Sequence, residues 1–128
     1  MLYVDIVIAL AAIQLLIFGM QVGAARGRYG VKAPATTGHD VFDRYFRVQQ
    51  NSLESLVVFL PGLYLFSGHV SPFWAAGLGA LYLIGRQLYA IAYVKNPASR
   101  GPGYGLSMFA VVVLLGGGLA MALWHAIH

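Results

Sequence analysis

Four long apolar segments, separated by short polar stretches, constrain the fold of this chain more than any other feature. They span approximately residues 2–25, 42–67, 72–95 and 104–125. A helix rises about 1.5 Å per residue, so each segment can cross the ~30 Å hydrocarbon core of a bilayer. Only 9% of the 128 residues are charged and 59% are hydrophobic, whereas a soluble domain has about 25% charged residues. We therefore predict an all-α integral membrane protein, a single domain of four transmembrane helices over residues 1–128.

The first segment is predicted to be a retained helix and not a signal peptide. It carries Asp5 where a signal peptide has basic residues, and it is longer than a signal peptide's 7–15 apolar residues. Gly19 and Gly23 in this segment permit close approach of another helix. The run Gly116–Gly118 in the fourth segment indicates either tight packing or a locally weak helix.

The connecting stretches contain the residues that end helices and form turns. Residues 26–41 and 96–103 are both interrupted by Gly and Pro and are predicted to be loops. Pro72 suits the first turn of the third helix, and Asp40 or Asp43 could cap the second. His39 has no second ligand in metal-binding spacing, so we expect no metal site there.

The basic residues lie at one end of the predicted bundle. Four helices place both termini on one side and the first and third loops on the other. All eight Lys and Arg fall in those two loops or in the adjacent helix halves, at positions 26, 28, 32, 44, 47, 86, 95 and 100. The positive-inside rule then places these loops in the cytoplasm and the termini on the opposite side. Because the basic residues are few, we attribute the net charge of +4 to membrane topology and to the chemistry of a site, and not to nucleic-acid binding.

The second segment opens with a polar stripe. Arg47, Asn51 and Glu54 share one helix face because they are spaced i, i+4 and i+7. Glu54 would lie about 10 Å deeper in the membrane than Arg47. A carboxylate at that depth is costly unless it is paired, so the stripe is a functional hypothesis. The alternative is a buried ion pair that only locks the helices together.

A second stripe, on the third segment, converges with the first on the cytoplasmic half of the bundle. It consists of Arg86, Tyr89 and Tyr93 at i, i+3 and i+7, and Arg26 and Arg100 lie above both stripes in the loops. This cationic pocket suits a small anionic ligand that also has an amino group. The alternative is that the arginines only obey the positive-inside rule and that the tyrosines form an interfacial belt.

The residue types suggest how such a ligand would be bound. Arg47 and Arg26 would bind carboxylates as bidentate partners, and Glu54 would bind the ammonium group. Asn51 and Gln49 could form hydrogen bonds with amide groups of the ligand.

The chain has no cysteine, so any thiol must come from the ligand. Arg100 could lie beside that thiol and lower its pKa from the ~8.5 of a cysteine side chain. The ligand would then carry a thiolate, the nucleophilic form, at neutral pH.

Two motifs resemble those of a known family, the membrane-associated proteins in eicosanoid and glutathione metabolism (MAPEG). The second helix contains a pattern similar to the family's second-helix motif, Phe42-Asp43-Arg44-x-x-Arg47-x-Gln49-x-Asn51-x-x-Glu54. The third helix and the following loop contain a pattern similar to the family's next motif, Gly85-Arg86-x-x-Tyr89-x-x-x-Tyr93 with Arg100 seven residues later. The similarity runs from about residue 26 to 100 and points to the branch of microsomal glutathione transferases and leukotriene-synthesising enzymes.

The resemblance implies a homotrimer that binds glutathione as co-substrate between neighbouring subunits, on the cytoplasmic side and without a metal. The residues that match glutathione contacts are Arg47, Asn51, Glu54, Tyr89 and Tyr93. Arg26 and Gln49 match contacts from the neighbouring subunit, Arg86 is predicted to join the glutathione site, and Arg100 matches the thiol-activating arginine.

The sequence also departs from the family patterns at two positions. Ser55 stands where the leukotriene-synthesising branch has a tyrosine, so one glutathione contact differs. Gln49 replaces a histidine of the prostaglandin E synthase branch, which argues against that specificity.

We predict a membrane-bound glutathione transferase for detoxification, with peroxidase as a side activity. Glutathione thiolate would attack a lipophilic electrophile or hydroperoxide drawn from the membrane lipids. A non-catalytic lipid-binding member of the family would have a similar pocket, although Arg100 favours the enzyme. A small four-helix proton-coupled transporter would also have one buried glutamate. Arginines near Glu54 argue against it, because they would repel cationic drugs and keep the carboxylate ionised.

Overall fold

The computed structural model of this protein describes residues 1–128 and contains four α-helices. They are α1 (Leu2–Tyr29), α2 (Asp40–His69), α3 (Pro72–Lys95) and α4 (Gly101–Ile127), and a 3-10 turn, Pro97–Ser99, precedes α4. The predicted number and order of the helices are confirmed. Pro72 occupies the first turn of α3, as the sequence indicates, and Ser71 caps that helix by accepting a hydrogen bond from the Trp74 N–H.

The ends of the helices differ from the sequence-based bounds. Helix α1 continues one turn past residue 25 and ends at Gly30, whose φ of 69° is in the left-handed region that favours glycine. The N-cap of α2 is His39, not Asp40 or Asp43, and its Nδ1 accepts from the Val41 N–H at 3.1 Å. The Asp43 carboxylate instead accepts from the Thr37 hydroxyl at 2.9 Å and the Gly38 N–H at 3.2 Å, which ties the first loop to α2.

Helices α1 and α4 each pack against both α2 and α3. The largest core cluster lies at the end of the bundle that is away from the basic loops. There Phe59 stacks on Tyr82 with ring centroids 3.8 Å apart, and the Tyr82 hydroxyl shares a 2.8 Å hydrogen bond with Ser55. A buried tyrosine is stabilised when its hydroxyl has a partner, so Ser55 serves the core and not the ligand site.

Small residues bring the backbones of α3 and α4 into direct contact. A Cβ at Gly85 would lie 2.6 Å from the Ser107 backbone nitrogen, and one at Gly103 would collide with the Tyr89 backbone. The glycines of the Gly116–Gly118 run lie within an unbroken α4, and the last two of them contact α2. Tight packing is therefore the correct interpretation of that run. Nothing within the chain packs close to Gly23.

Two stretches of the bundle are long and apolar enough to cross a membrane. They are Leu2–Tyr29 and Pro97–Ile127, each with a window of mean hydropathy 2.3. The polar residues of α2 and α3 lower the mean hydropathy of these two helices, which are not among the stretches apolar enough to cross a membrane. Large apolar side chains such as Leu16 and Tyr64 are 65% and 75% exposed on the outside of the bundle, which is consistent with a membrane protein.

The close approach of α3 and α4 predicts the effect of a single methyl group. We expect Gly85→Ala to destabilise the bundle by about 1–3 kcal/mol, because the methyl group forces the two helices apart. Gly77→Ala, on the same helix, has nothing within 4 Å and should be neutral or slightly stabilising. Thermal unfolding of the detergent-solubilised proteins measures both. Equal melting temperatures for the two variants would contradict the close packing.

Candidate functional site

A polar cavity of about 410 Å³ opens at the loop end of the bundle, between α2, α3 and the start of α4. Seven residues line it: Arg47, Asn51, Tyr89, Tyr93, Arg100, Gly101 and Tyr104. The cavity has two guanidinium groups, three phenol rings and no carboxylate in its lining, so it suits an anionic ligand with hydrogen-bonding groups.

Five of the predicted site residues meet in this cavity. Arg47 and Asn51 come from α2, Tyr89 and Tyr93 from α3, and Arg100 from the segment before α4. Two of the three residues of each polar stripe therefore face a common space.

Sequence reasoning missed two residues of the lining, Gly101 and Tyr104. Tyr104 lies on the first turn of α4, four residues after Arg100, and its ring is 6.1 Å from that of Tyr89. The i, i+4 spacing from Arg100 was the available signal.

Arg86 lies behind the cavity wall and is fully buried, with 0% of its side chain exposed. Its Nη2 donates to Asn51 Oδ1 at 2.6 Å and its Nη1 to Ser107 Oγ at 3.5 Å. Its guanidinium carbon lies 4.3 Å from the ring centroid of Tyr89, a cation–π contact. Arg86 therefore reaches the cavity only through Asn51 and Tyr89.

The contact with Arg86 fixes the orientation of the Asn51 amide. A guanidinium has only donors, so Asn51 must turn its Oδ1 towards Arg86. The Nδ2 amine is then left to donate into the cavity. Asn51 consequently suits a ligand carbonyl or carboxylate oxygen more than a ligand N–H.

Glu54 does not line the cavity and is exposed on the outer face of α2. Arg86, the deepest cation, is bonded to Asn51 and Ser107 and not to Glu54. Glu54 therefore makes no ion pair with Arg86, and the alternative of a buried structural ion pair is wrong. Two turns of α2 separate Glu54 from Arg47, and the cavity covers only the turns nearer the loops.

Arg26 and Gln49 also lie away from the cavity. Arg26 is in the last turn of α1, not in a loop, and its Nη1 donates to the Ala35 carbonyl at 2.6 Å, which holds the first loop in place. Its guanidinium also lies 4.9 Å from the ring centroid of Phe42. Gln49 lines a different, apolar concavity on the outside of α1, next to Gly19.

A four-helix bundle with an apolar exterior and a cationic cavity at one end is the class of protein defined by these observations. The sequence profile described as the MAPEG family matches residues 4–120, and the chain belongs to this family. The resemblance drawn from the two helix motifs is confirmed.

The relatives of this chain include proteins named for glutathione chemistry. It is 38% identical to human microsomal glutathione S-transferase 2, over 84% of this chain and 74% of that protein. It is 34% identical to bovine leukotriene C4 synthase, over 65% of this chain and 55% of the relative. An uncharacterized protein of Synechocystis is 44% identical over 98% of this chain and 91% of its own length. These similarities support a glutathione-related function at the level of the family.

The bond between Arg86 and Asn51 predicts how two substitutions of Asn51 differ. Asn51→Leu should destabilise the ligand-free protein by about 1.5–3 kcal/mol, because a buried guanidinium loses its shortest hydrogen bond. Asn51→Asp keeps an acceptor for Arg86 and should melt close to the wild type. The measurement is thermal unfolding without any added ligand. A melting temperature that Asn51→Leu leaves unchanged would show that Arg86 does not depend on Asn51.

Proposed function

We propose that this chain is a membrane-bound glutathione transferase. Glutathione would occupy the polar cavity, and its thiolate would attack a lipophilic electrophile or a hydroperoxide from the bilayer. The observation that carries the proposal is the convergence of Arg47, Asn51, Tyr89, Tyr93 and Arg100 on one cavity. The glutathione transferases among the relatives support the same chemistry.

The lining offers a partner for each group of glutathione except its ammonium group. Arg47, whose side chain is exposed, would bind a carboxylate with two parallel hydrogen bonds. The Nδ2 of Asn51 would donate to a carboxylate or amide oxygen, because its Oδ1 is engaged with Arg86. The hydroxyls of Tyr89 and Tyr93 could donate to the remaining oxygens. The ligand would thus be held at several points, which is what aligning a thiol for attack requires.

Arg100 would activate the thiol. The 3-10 turn before α4 places this residue on the cavity, and its Nη1 donates to the Pro97 carbonyl at 2.9 Å. A guanidinium beside the thiol lowers the thiol pKa, because it stabilises the thiolate. The thiolate sulfur then forms a bond to the electrophilic carbon, and the bond from that carbon to the leaving group or to a ring oxygen breaks. The electron pair goes to the leaving group, which departs, or to the ring oxygen, which stays on the product and takes up a proton. Rate enhancement would come from positioning and from the larger thiolate fraction.

The proposal extends to a homotrimer whose sites lie at subunit boundaries. Glu54 is an exposed carboxylate beside the exposed apolar side chains of Leu53, Val57 and Val58, and such a group in a membrane must find a partner. Gln49 lines a concavity on the outside of the bundle, and Arg26 is half-buried at the end of α1, where a neighbouring copy could contact them. In a closed ring, Glu54 would bind the ammonium group of glutathione at its own site, and Arg26 and Gln49 would complete the next site.

The role of Arg100 predicts a pH-dependent loss of turnover. Arg100→Ala should bind glutathione within a few-fold of wild type, yet turn over a model electrophile about 30-fold more slowly at pH 7. That factor is the thiolate fraction lost when a thiol pKa returns to ~8.5. Because the depressed pKa matters only below the pKa of the free thiol, the deficit should shrink as the pH rises to 9. Steady-state kinetics across this range measure it.

Lys32→Ala is the matched control for Arg100→Ala. It removes a positive charge from the same end of the bundle, but Lys32 does not line the cavity. An equal deficit at pH 7 and pH 9 for Arg100→Ala would contradict thiol activation. Binding of glutathione without any turnover by the wild type would instead favour the non-catalytic lipid-binding alternative.

The shared site predicts complementation between two variants that are defective in glutathione binding. Glu54→Leu should abolish glutathione binding, and Arg26→Gln should weaken it while keeping a donor for Ala35. In mixed oligomers, a site that takes Glu54 from one chain and Arg26 from the other is intact, so co-expression should restore binding. Calorimetry of the purified mixture measures the recovery. Full binding by monomers in mild detergent, or no recovery on mixing, would contradict a site shared between subunits.

A further inference from the structure

A second, separate groove runs along the outside of the bundle, between α1 and α3 in its deep part and between α1 and Tyr45 of α2 at its loop end. Its deep part, about 340 Å³, is mostly apolar and includes Leu10, Ile17 and Ile84. Towards the loops it continues into two concavities of about 260 and 240 Å³, which are linked to the deep part and to each other by shared lining residues. Gln87 lines both the deep part and the middle concavity, and Gln21 and Tyr45 line both the middle and the outer concavity, so the three adjoin one another in a row along α1.

The groove has polar groups at graded depth. Gln14 donates to the Leu83 carbonyl at 3.0 Å and to Gln87 Oε1 at 3.4 Å. With its Oε1 engaged, Gln87 is left with an amide nitrogen that can donate into the groove. Gln21, nearer the loops, makes no side-chain hydrogen bond within the chain and lines both of the outer concavities. Donors on a membrane-facing surface are costly without an acceptor.

The loop end of the groove is cationic. Lys95 lines the middle concavity and Arg28 the outer one, and Tyr45 lines both. None of the residues that line the groove is acidic. Arg28 lies 6.0 Å from the ring centroid of Tyr29, and Lys95 is exposed at the last turn of α3.

The dimensions match one leaflet of a bilayer. From Leu10 to Gln21 helix α1 rises about 16 Å, close to half of a ~30 Å hydrocarbon core. Arg28 lies about two turns further out, at the depth of the headgroups. A lipid whose acyl chain lies along Leu10, Ile17 and Ile84 would therefore have its headgroup at the depth of Arg28 and Lys95.

We propose that this groove is a binding site for one anionic phospholipid of the surrounding membrane. Its phosphate would lie between Arg28 and Lys95, Gln21 and Gln87 would donate to its ester carbonyl oxygens, and one acyl chain would fill the deep part of the groove. Basic pockets between transmembrane helices recognise anionic headgroups by the same charge complementarity. The site is distinct from the polar cavity, because α3 separates them: Tyr89 and Tyr93 face the cavity, whereas Ile91 and Lys95 face the groove.

The test is native mass spectrometry of the delipidated full chain in mild detergent, with phosphatidylglycerol or phosphatidylcholine of identical acyl chains added. We expect one phosphatidylglycerol retained per chain and much weaker retention of phosphatidylcholine. Arg28→Gln and Lys95→Gln should each weaken phosphatidylglycerol retention roughly fivefold, the effect of one basic side chain near an anionic headgroup. Lys32→Gln, an equal charge change outside the groove, should leave retention unchanged.

A second pair of variants tests the apolar part without altering the charge. Ile84→Trp fills the deep groove and should abolish retention, whereas Val112→Trp, on an exposed position of α4, should not. Equal retention of the two lipids, or an equal loss with Lys32→Gln, would overturn the proposal. So would a change in subunit number with Arg28→Gln or Lys95→Gln at constant lipid retention, because a second copy would then occupy the groove.

Discussion

The buried guanidinium of Arg86 is the constraint on which the rest of the site depends. A cation with no exposed surface must be compensated by the groups around it, and here these are an amide oxygen, a serine hydroxyl and an aromatic face. Each compensating group comes from a different helix: Asn51 from α2, Tyr89 from α3 and Ser107 from α4. The glycine contacts between α3 and α4 make this possible, because only backbones that nearly touch bring Ser107 close enough to Arg86. Ligand binding and helix packing thus share the same atoms.

The two sides of Asn51 illustrate how this constraint shapes recognition. One side of the amide is committed to Arg86, so the other can only donate. The positive charge of Arg86 is not neutralised by a carboxylate, and it lies just behind two residues of the cavity lining. In the low dielectric of the bundle this charge adds to those of Arg47 and Arg100, and the cavity attracts anions more strongly than two surface arginines would.

The sequence predicted the number of helices and the convergence of Arg47, Asn51, Tyr89 and Tyr93, because both follow from hydrophobic length and from the helical period. It did not predict the burial of Arg86 or the exposure of Glu54. Both residues lie on the predicted stripes, but a stripe defines a direction around one helix and not the depth to which a neighbour covers it. Contact between α3 and α4 buries Arg86, and that contact depends on Gly85 and Gly103 rather than on any polar residue. The predicted end of α1 was also wrong, because the left-handed conformation of a single glycine, Gly30, sets where this helix ends.

The positive-inside rule alone is too coarse an explanation for the basic residues of this chain. All eight lie at the loop end, as the rule requires, yet their contacts separate them into distinct uses. Arg26 and Arg44 donate to the backbone carbonyls of Ala35 and Val94, which holds the first loop to α1 and the end of α3 to α2. Arg47 and Arg100 line the polar cavity on one side of α3, and Arg28 and Lys95 line the groove on the other, with Arg86 buried between the helices. For Lys32 alone, the positive-inside rule is a sufficient explanation. Charges that served topology alone would not be divided in this way between backbone carbonyls, a cavity and a groove.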